Sequence, residues 1–325
     1  MFEIAAINDL SDFKFGHAQN PEAGTGCTVV VAPKGASCGV SVTGGGPATR
    51  ETDLLRPENM IQHVHAVVLS GGSAFGLEAS CGVMDALAKR DIGFEVSGNQ
   101  VPIVTGACLF DLTVGKYSYP DKQMGITAVE NAFSSSPFAE GNVGAGTGAS
   151  VGKLRGANYA MKSGFGFHLY RQNDLVVGAF VAVNALGNIV KSETQWLAGC
   201  RDENNAIVDS ITAFKELSLN SAAQSMPTNT TIGIIVTNAL LDKAQATKVA
   251  HITNDAYARN IVPVHTSNDG DAIFTFASGK TAAAPDMVAI MATEAMGCAI
   301  QNALLKAQGA YGLPCASDFS GNKQR

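Results

Sequence analysis

Runs of apolar residues, each closed by a glycine or a polar turn, set the elements of this chain. Residues 64–69 form a largely apolar run that predicts a buried strand and enters the sharp turn Gly71-Gly72-Ser73. Beyond it, Phe75, Leu77, Val83, Met84 and Leu87 fall near helical spacing up to Lys89-Arg90, so the segment is a strand–turn–helix unit. Residues 175–183, Leu-Val-Val-Gly-Ala-Phe-Val-Ala-Val, predict a second buried strand that ends at Asn184. Residues 200–229 are polar, with Arg201-Asp202-Glu203-Asn204-Asn205 and a Ser-, Thr-, Asn- and Gln-rich end, and are expected to be an exposed connection. The β-prone run 231–236 follows at once. Asp242 with Gln245 three residues on forms a capping-box pattern, and Val249, Ile252, Ala256 and Ile261 continue a helix that Pro263 must end. A strand at 273–277 and a long apolar helix at 285–306, stopped near Gly309, complete the pattern. Mixed strands and helices with glycine-rich turns predict an α/β layered sandwich, helices covering the sheet faces.

Composition narrows the function classes. The 325 residues suffice for one large domain or two ordinary ones; no linker or repeat divides them, so 1–325 is expected to be a single domain. Charged residues are only 15%, against 46% hydrophobic, and the formal charge is −6 without a basic run, which argues against a nucleic-acid partner. No stretch reaches the roughly 18 uninterrupted apolar residues of a membrane span, and Met1-Phe2-Glu3-Ile4 does not look like a basic, apolar leader. Seven cysteines, spaced singly, predict reduced, mostly buried thiols and a cytoplasmic protein. His63 and His65 lie two apart, but no further ligand stands at motif spacing, so they are read as structural and no metal or cofactor is expected.

The segment with candidate chemistry is Pro227-Thr228-Asn229-Thr230-Thr231-Ile232, where a polar loop meets a buried strand. A cut before Thr230 would free a threonine at the start of a rigid element. Its hydroxyl would be the nucleophile, and its own α-amino group, with an ordinary pKa of about 7.7–8.0, the base that takes the hydroxyl proton. β-Propensity alone explains two threonines at a strand start equally well.

Several ordered segments favour the chemistry. Asn229-Thr230-Thr231-Ile232…Val236-Thr237-Asn238 resembles the cleavage site of the self-processing DmpA/BapA-type aminopeptidases, and still more that of their nylon-oligomer-hydrolase relatives. In the same order, Gly71-Gly72-Ser73-Ala74-Phe75-Gly76-Leu77-Glu78-Ala79, Tyr119-Pro120-Asp121-Lys122, the glycine-rich 141–153 ending in Lys153, Val183-Asn184 and His265-Thr266…Asp269-Gly270-Asp271 resemble family segments. The resemblance implies an αββα sandwich of the DmpA and ornithine acetyltransferase type. It implies self-cleavage into 1–229 and 230–325, pieces that stay together. It also implies hydrolysis of peptides or small amides, most often by release of N-terminal residues, and a homo-oligomer of cleaved αβ pairs. An acyltransferase of the ornithine acetyltransferase type, or a non-processing binding relative, remains as an alternative.

The resemblance also assigns roles. Thr230 is the nucleophile, and Asn184 donates its amide to the oxyanion, a contact worth about 2.7–4 kcal/mol. Lys153 favours ionisation of the hydroxyl. Asp269 or Asp271 hydrogen-bonds the hydroxyl or holds the new ammonium, and two such close carboxylates must separate in pKa. Many DmpA-type members have serine and glutamate in place of this Asp pair. Gly-x-x-x-x-Gly-Lys-Ser/Thr is not met around Lys153, since Thr147 and Leu154 occupy its first and last positions, so a phosphate loop is set aside. Phe110 stands where DmpA-type relatives carry a site tyrosine and cannot donate a hydrogen bond; it and Tyr119 are candidate substrate-pocket residues, with Tyr117 or Tyr119 as candidates to replace the lost donor.

Overall fold

A computed structural model of the chain describes residues 2–134, 136–192, 195–219 and 229–319. Its principal strands are β1 (Glu3–Ile4), β2 (Lys14–Asn20), β3 (Thr25–Val42), β4 (Ala48–Arg50), β5 (Val64–Ser70), β6 (Val104–Cys108), β7 (Phe165–Gln172), β8 (Leu175–Asn184), β9 (Thr230–Ala239) and β10 (Ala272–Thr281). Its α-helices are α1 (Glu78–Ala88), α2 (Lys122–Phe133), α3 (Ser210–Leu219), α4 (Lys243–Asn260) and α5 (Pro285–Leu305). Hydrogen bonding orders the strands β1-β7-β8-β9-β10-β3-β5-β6-β4, with β2 also on β3.

Strand β3 turns this path into two layers. Its end, Ser37–Val42, pairs antiparallel with β10, whereas Thr25–Val31 pairs with β2 and Cys27–Val31 with β5. The register shifts between Val31 and Ala36, where Pro33 cannot donate to a ladder and Gly35 takes a φ of 74°. Three apolar clusters then mark three interfaces between four layers. Val30, Val67 and Leu69 meet Phe180, Ile232, Ile234, Phe274 and Phe276 between the sheets. The second face of the β7–β10 sheet lies under α4 and α5, and that of the β2–β6 sheet under α1 and α2. The fold is the expected αββα sandwich.

Period-two alternation assigns the faces. In β8, Val177, Ala179, Val181 and Val183 face the helices while Phe180 and Ala182 face the other sheet; in β9, Ile232, Ile234 and Val236 face the other sheet and Ile235 the helices. Both strands are buried on both faces, which is why they read as continuous apolar runs. Close helix approach needs two glycines: a Cβ on Gly39 would come within 2.1 Å of Thr247 N, and one on Gly166 within 2.2 Å of Ala299 O. Phe180 is fully buried and stacks on Phe15 at 5.0 Å and Phe167 at 5.7 Å. Phe180→Ala is expected to cost about 3–5 kcal/mol, read as a lowered urea midpoint.

The capping box forms as expected: Gln245 N donates to Asp242 Oδ1 at 2.8 Å and Asp242 N to Gln245 Oε1 at 3.0 Å. The expected connection at 200–229 holds a helix, α3, instead. Ala213 inserts into a small cluster with Leu154, Leu186 and Cys200, and that burial outweighs the polar composition. Residues 220–228 lie outside the described residues. Helix α5 is long and apolar enough to cross a membrane by length and composition, but here it packs on β7 and β8, with Pro285 in its first turn.

Candidate active site

Thr230 opens β9 and pairs with Asn184, the last residue of β8. Both have the parity of the inter-sheet residues, Ile232 and Ile234 in one strand and Phe180 and Ala182 in the other. Their side chains therefore stand at the end of the layer between the sheets. Thr230 is 5% exposed and Asn184 fully buried. Because β9 pairs antiparallel with β8 and parallel with β10, Thr230 starts a strand that is held on both edges.

Two donors converge on the carbonyl oxygen of Asn229, the residue before Thr230. Gly270 N donates to it at 2.9 Å, and the Thr230 hydroxyl donates to it from the other side of the same peptide bond. Position 270 leaves no room for a side chain, since a Cβ there would lie 2.8 Å from Thr230 Oγ1. The Asp269 and Asp271 carboxylates flank this glycine and are each 2% exposed. Asp269 Oδ2 accepts Thr266 N at 2.6 Å, and burial, then the neighbouring Asp271 charge, raises its pKa. Asp271 Oδ1 accepts Thr231 N at 2.6 Å, and its Oδ2 accepts His265 Nδ1 at 2.8 Å and His265 N at 3.2 Å.

Across the β8–β9 ladder, Lys153 Nζ donates to Asn184 Oδ1 at 2.6 Å and to Asn184 O at 3.1 Å. Ser150 N also donates to Asn184 Oδ1, at 3.0 Å, so two donors fix which end of the amide is oxygen. The Asn184 amide nitrogen donates to Phe110 O at 2.8 Å, which occupies one of its two protons. Burial pushes the Lys153 ammonium down to about 7, opposed by the Asp269 and Asp111 carboxylates. The chain past Lys153 makes turns rather than the helix that would carry a phosphate loop.

Thr230, Asn229, Asp269, Asp271, Asn184 and Lys153 thus come together, as the sequence motifs implied. Phe110 joins them through its backbone carbonyl. Tyr119 does not share their hydrogen bonds; its ring stacks on Phe75 at 5.2 Å beside the Gly72 turn. Tyr117 is 68% exposed. His63 precedes β5 and buried His65 accepts Ile103 N at 3.1 Å; both side chains lie beside Gly35. No group of three His, Cys, Asp or Glu side chains is placed to hold a metal ion among the described residues. An open surface cavity of about 660 Å³, lined by Arg201, Gly309 and Pro314 among others, shares no residue with the cluster.

Sequence reasoning passed over two buried charges beside the site. Asp111 accepts Gly72 N at 2.6 Å and Thr25 Oγ1 at 2.8 Å, and burial raises its carboxyl to about 6. Lys162, fully buried, donates to the carbonyls of Gly146, Ala149 and Ser163 and so ties down the glycine-rich segment before Lys153. Asp111 carried a faint signal as the acidic residue after Phe110. Lys162, between Met161 and Ser163, carried none.

Solved structures share this architecture. A Burkholderia sp. beta-aminopeptidase superposes with a TM-score of 0.66 at 19% identity, over 94% of this chain and 89% of that one. The L-aminopeptidase D-Ala-esterase/amidase of Ochrobactrum anthropi, reported as a new variant among the Ntn hydrolase fold, gives 0.66 at 17% identity over 97% and 91%. The fold is therefore that variant of the N-terminal-nucleophile hydrolase sandwich. In sequence, an uncharacterized aminopeptidase of Mycobacterium leprae is 37% identical over 302 residues, 86% of this chain and 80% of the relative. A 6-aminohexanoate-oligomer endohydrolase of Paenarthrobacter ureafaciens is 30% identical over 272 residues, 82% of this chain and 73% of the relative. Residues 5–314 match the model of peptidase family S58. The chain belongs to peptidase family S58 and is a hydrolase of peptide or amide bonds.

Proposed function

We propose that the chain cuts itself between Asn229 and Thr230 and that the freed Thr230 then hydrolyses amide bonds, releasing N-terminal residues from peptides or small amides. The observation that carries this reading is the convergence of the Thr230 hydroxyl and Gly270 N on the Asn229 carbonyl oxygen. Thr230 Oγ1 attacks the Asn229 carbonyl carbon, and Gly270 N–H stabilises the oxyanion that forms. The C–N bond breaks, the acyl group passes to Oγ1 as an ester, and the α-amine of Thr230 is released with the proton. Water then hydrolyses the ester, leaving Asn229 as a carboxylate. In later cycles the same amine is the base for attack on substrate. Lys153 would set a cation on Asn184 opposite Thr230, and Asp269 and Asp271 would offset the new ammonium.

The denatured mass of the purified protein tests the proposal. Two polypeptides are expected, 1–229 and 230–325, the shorter beginning at Thr230. One intact chain after prolonged incubation overturns self-cleavage.

A further inference from the structure

The Asp271 carboxylate is held at both oxygens, and only one of its partners belongs to the strand that carries the nucleophile. Oδ1 takes Thr231 N at 2.6 Å, the first amide after Thr230. Oδ2 is clamped by His265, through its backbone N at 3.2 Å and its ring Nδ1 at 2.8 Å. Without the second clamp, the carboxylate could turn about its last side-chain bond and slacken its hold on Thr231.

The surroundings of the ring fix its proton. An ionised carboxylate only accepts, so Nδ1 must donate to Asp271. Thr43 Oγ1, 2.9 Å from the same Nδ1, points its own proton at Asn254 Oδ1, 3.3 Å away. It therefore receives from the ring rather than giving to it. Nε2 is closed off from solvent and has no hydrogen-bond partner among the described residues. A charged ring would bury an orphan N–H there, which is costly, whereas the neutral Nδ1–H form leaves only a lone pair. The ring faces Asp271 from its own loop, Thr43 from just past the end of β3 and, from α4, Tyr257 at 5.9 Å between ring centroids. The backbone of His265 is left-handed, with φ 58°, a conformation for which Asn, Asp and Gly are suited.

We infer that His265 is a positioning residue for self-cleavage: a neutral Nδ1–H donor that locks Asp271, and through Asp271 the Thr231 amide, so that Thr230 stays aimed at the Asn229 carbonyl. The inference rests on the proposed cut before Thr230, and the experiment separates the two. Conversion of the full chain into 1–229 and 230–325 is timed in the wild type, His265→Asn, His265→Gly and His265→Asp, each checked for folding by urea unfolding. All three substitutions suit the left-handed backbone, but only Asn returns a neutral donor near the place of Nδ1. Asn is expected to cut within about threefold of the wild-type rate. Gly and Asp are expected to slow the cut roughly ten- to hundredfold, the loss of one hydrogen bond to a charged group. Should Gly fail to fold, Asp still decides. Donor-free variants that cut at the wild-type rate, or Asn as slow as those variants, overturn the role of His265. A wild-type chain that never cuts overturns the proposed function instead.

Discussion

Replacing Thr230 with alanine is expected to leave the chain in one piece and without amide hydrolysis. Alanine keeps the strand start and the pairing with Asn184, because those ladders use backbone groups. It removes the hydroxyl that donates to the Asn229 carbonyl oxygen. The loss in turnover is expected to be on the order of 10⁴–10⁶-fold, the scale for removing a covalent nucleophile. Thr230→Ser returns the hydroxyl and should still cut, since it lacks only a methyl group. Mass spectrometry of the denatured protein reads the cut, and release of an amine from an aminoacyl amide reads turnover. A Thr230→Ala chain that still yields a fragment beginning at position 230 removes the nucleophile assignment.

Lys153→Met has the second largest expected effect. The ammonium is buried and gives its protons to two oxygens of Asn184, so its removal takes away a cation and one of the two donors that hold the Asn184 amide oxygen. A fall in kcat of roughly 10²–10³-fold is expected, the range for losing one preorganised donor beside a developing oxyanion. The pH dependence gives a second check. Burial lowers the folded-state pKa of Lys153 to about 7, so the cation is present below that pH and is lost as pH rises through it. Wild-type kcat should therefore carry an alkaline limb near neutrality, opposed by the rising limb of the Thr230 amine as it deprotonates. The residual activity of Lys153→Met should keep the rising limb and lose the alkaline one. A variant that retains the alkaline limb assigns it to another group.

Legibility in the sequence followed local chemistry. Strands β8 and β9 were visible because both faces are buried, and α4 because Asp242 and Gln245 form a reciprocal cap. The candidate site residues were legible through the ordered motifs that resemble the family; taken alone, Thr230 reads as a strand-start threonine and Asp269-Gly270-Asp271 as a turn. Strand β3 was not, since Pro33 and Gly35 break its 18 residues where it passes from one sheet to the other. Helix α3 was hidden by the polar stretches 201–205 and 221–229 on either side of it, which set the reading of the whole segment. Lys162 was hidden for another reason: its three carbonyl acceptors come from backbone groups, which leave no mark in a sequence. The partnership of His265 with Asp271 likewise depends on a left-handed turn that no residue spacing announces.

The place of β9 and β10 in the sheet bears on what happens to the protein after unfolding. The two strands pair with each other, and on either side of them lie β8 and β3, which the proposed cut would leave on the other piece. The shorter piece would thus be inserted into the sheet rather than docked on it, and it would leave only when two ladders open together. Refolding of the uncut chain is a first-order event at any concentration. After the proposed cut the same sheet would have to be rebuilt from two molecules, so recovery from denaturant would become second order and slow on dilution. Maturation would then convert an equilibrium stability into one governed by the rate of unfolding.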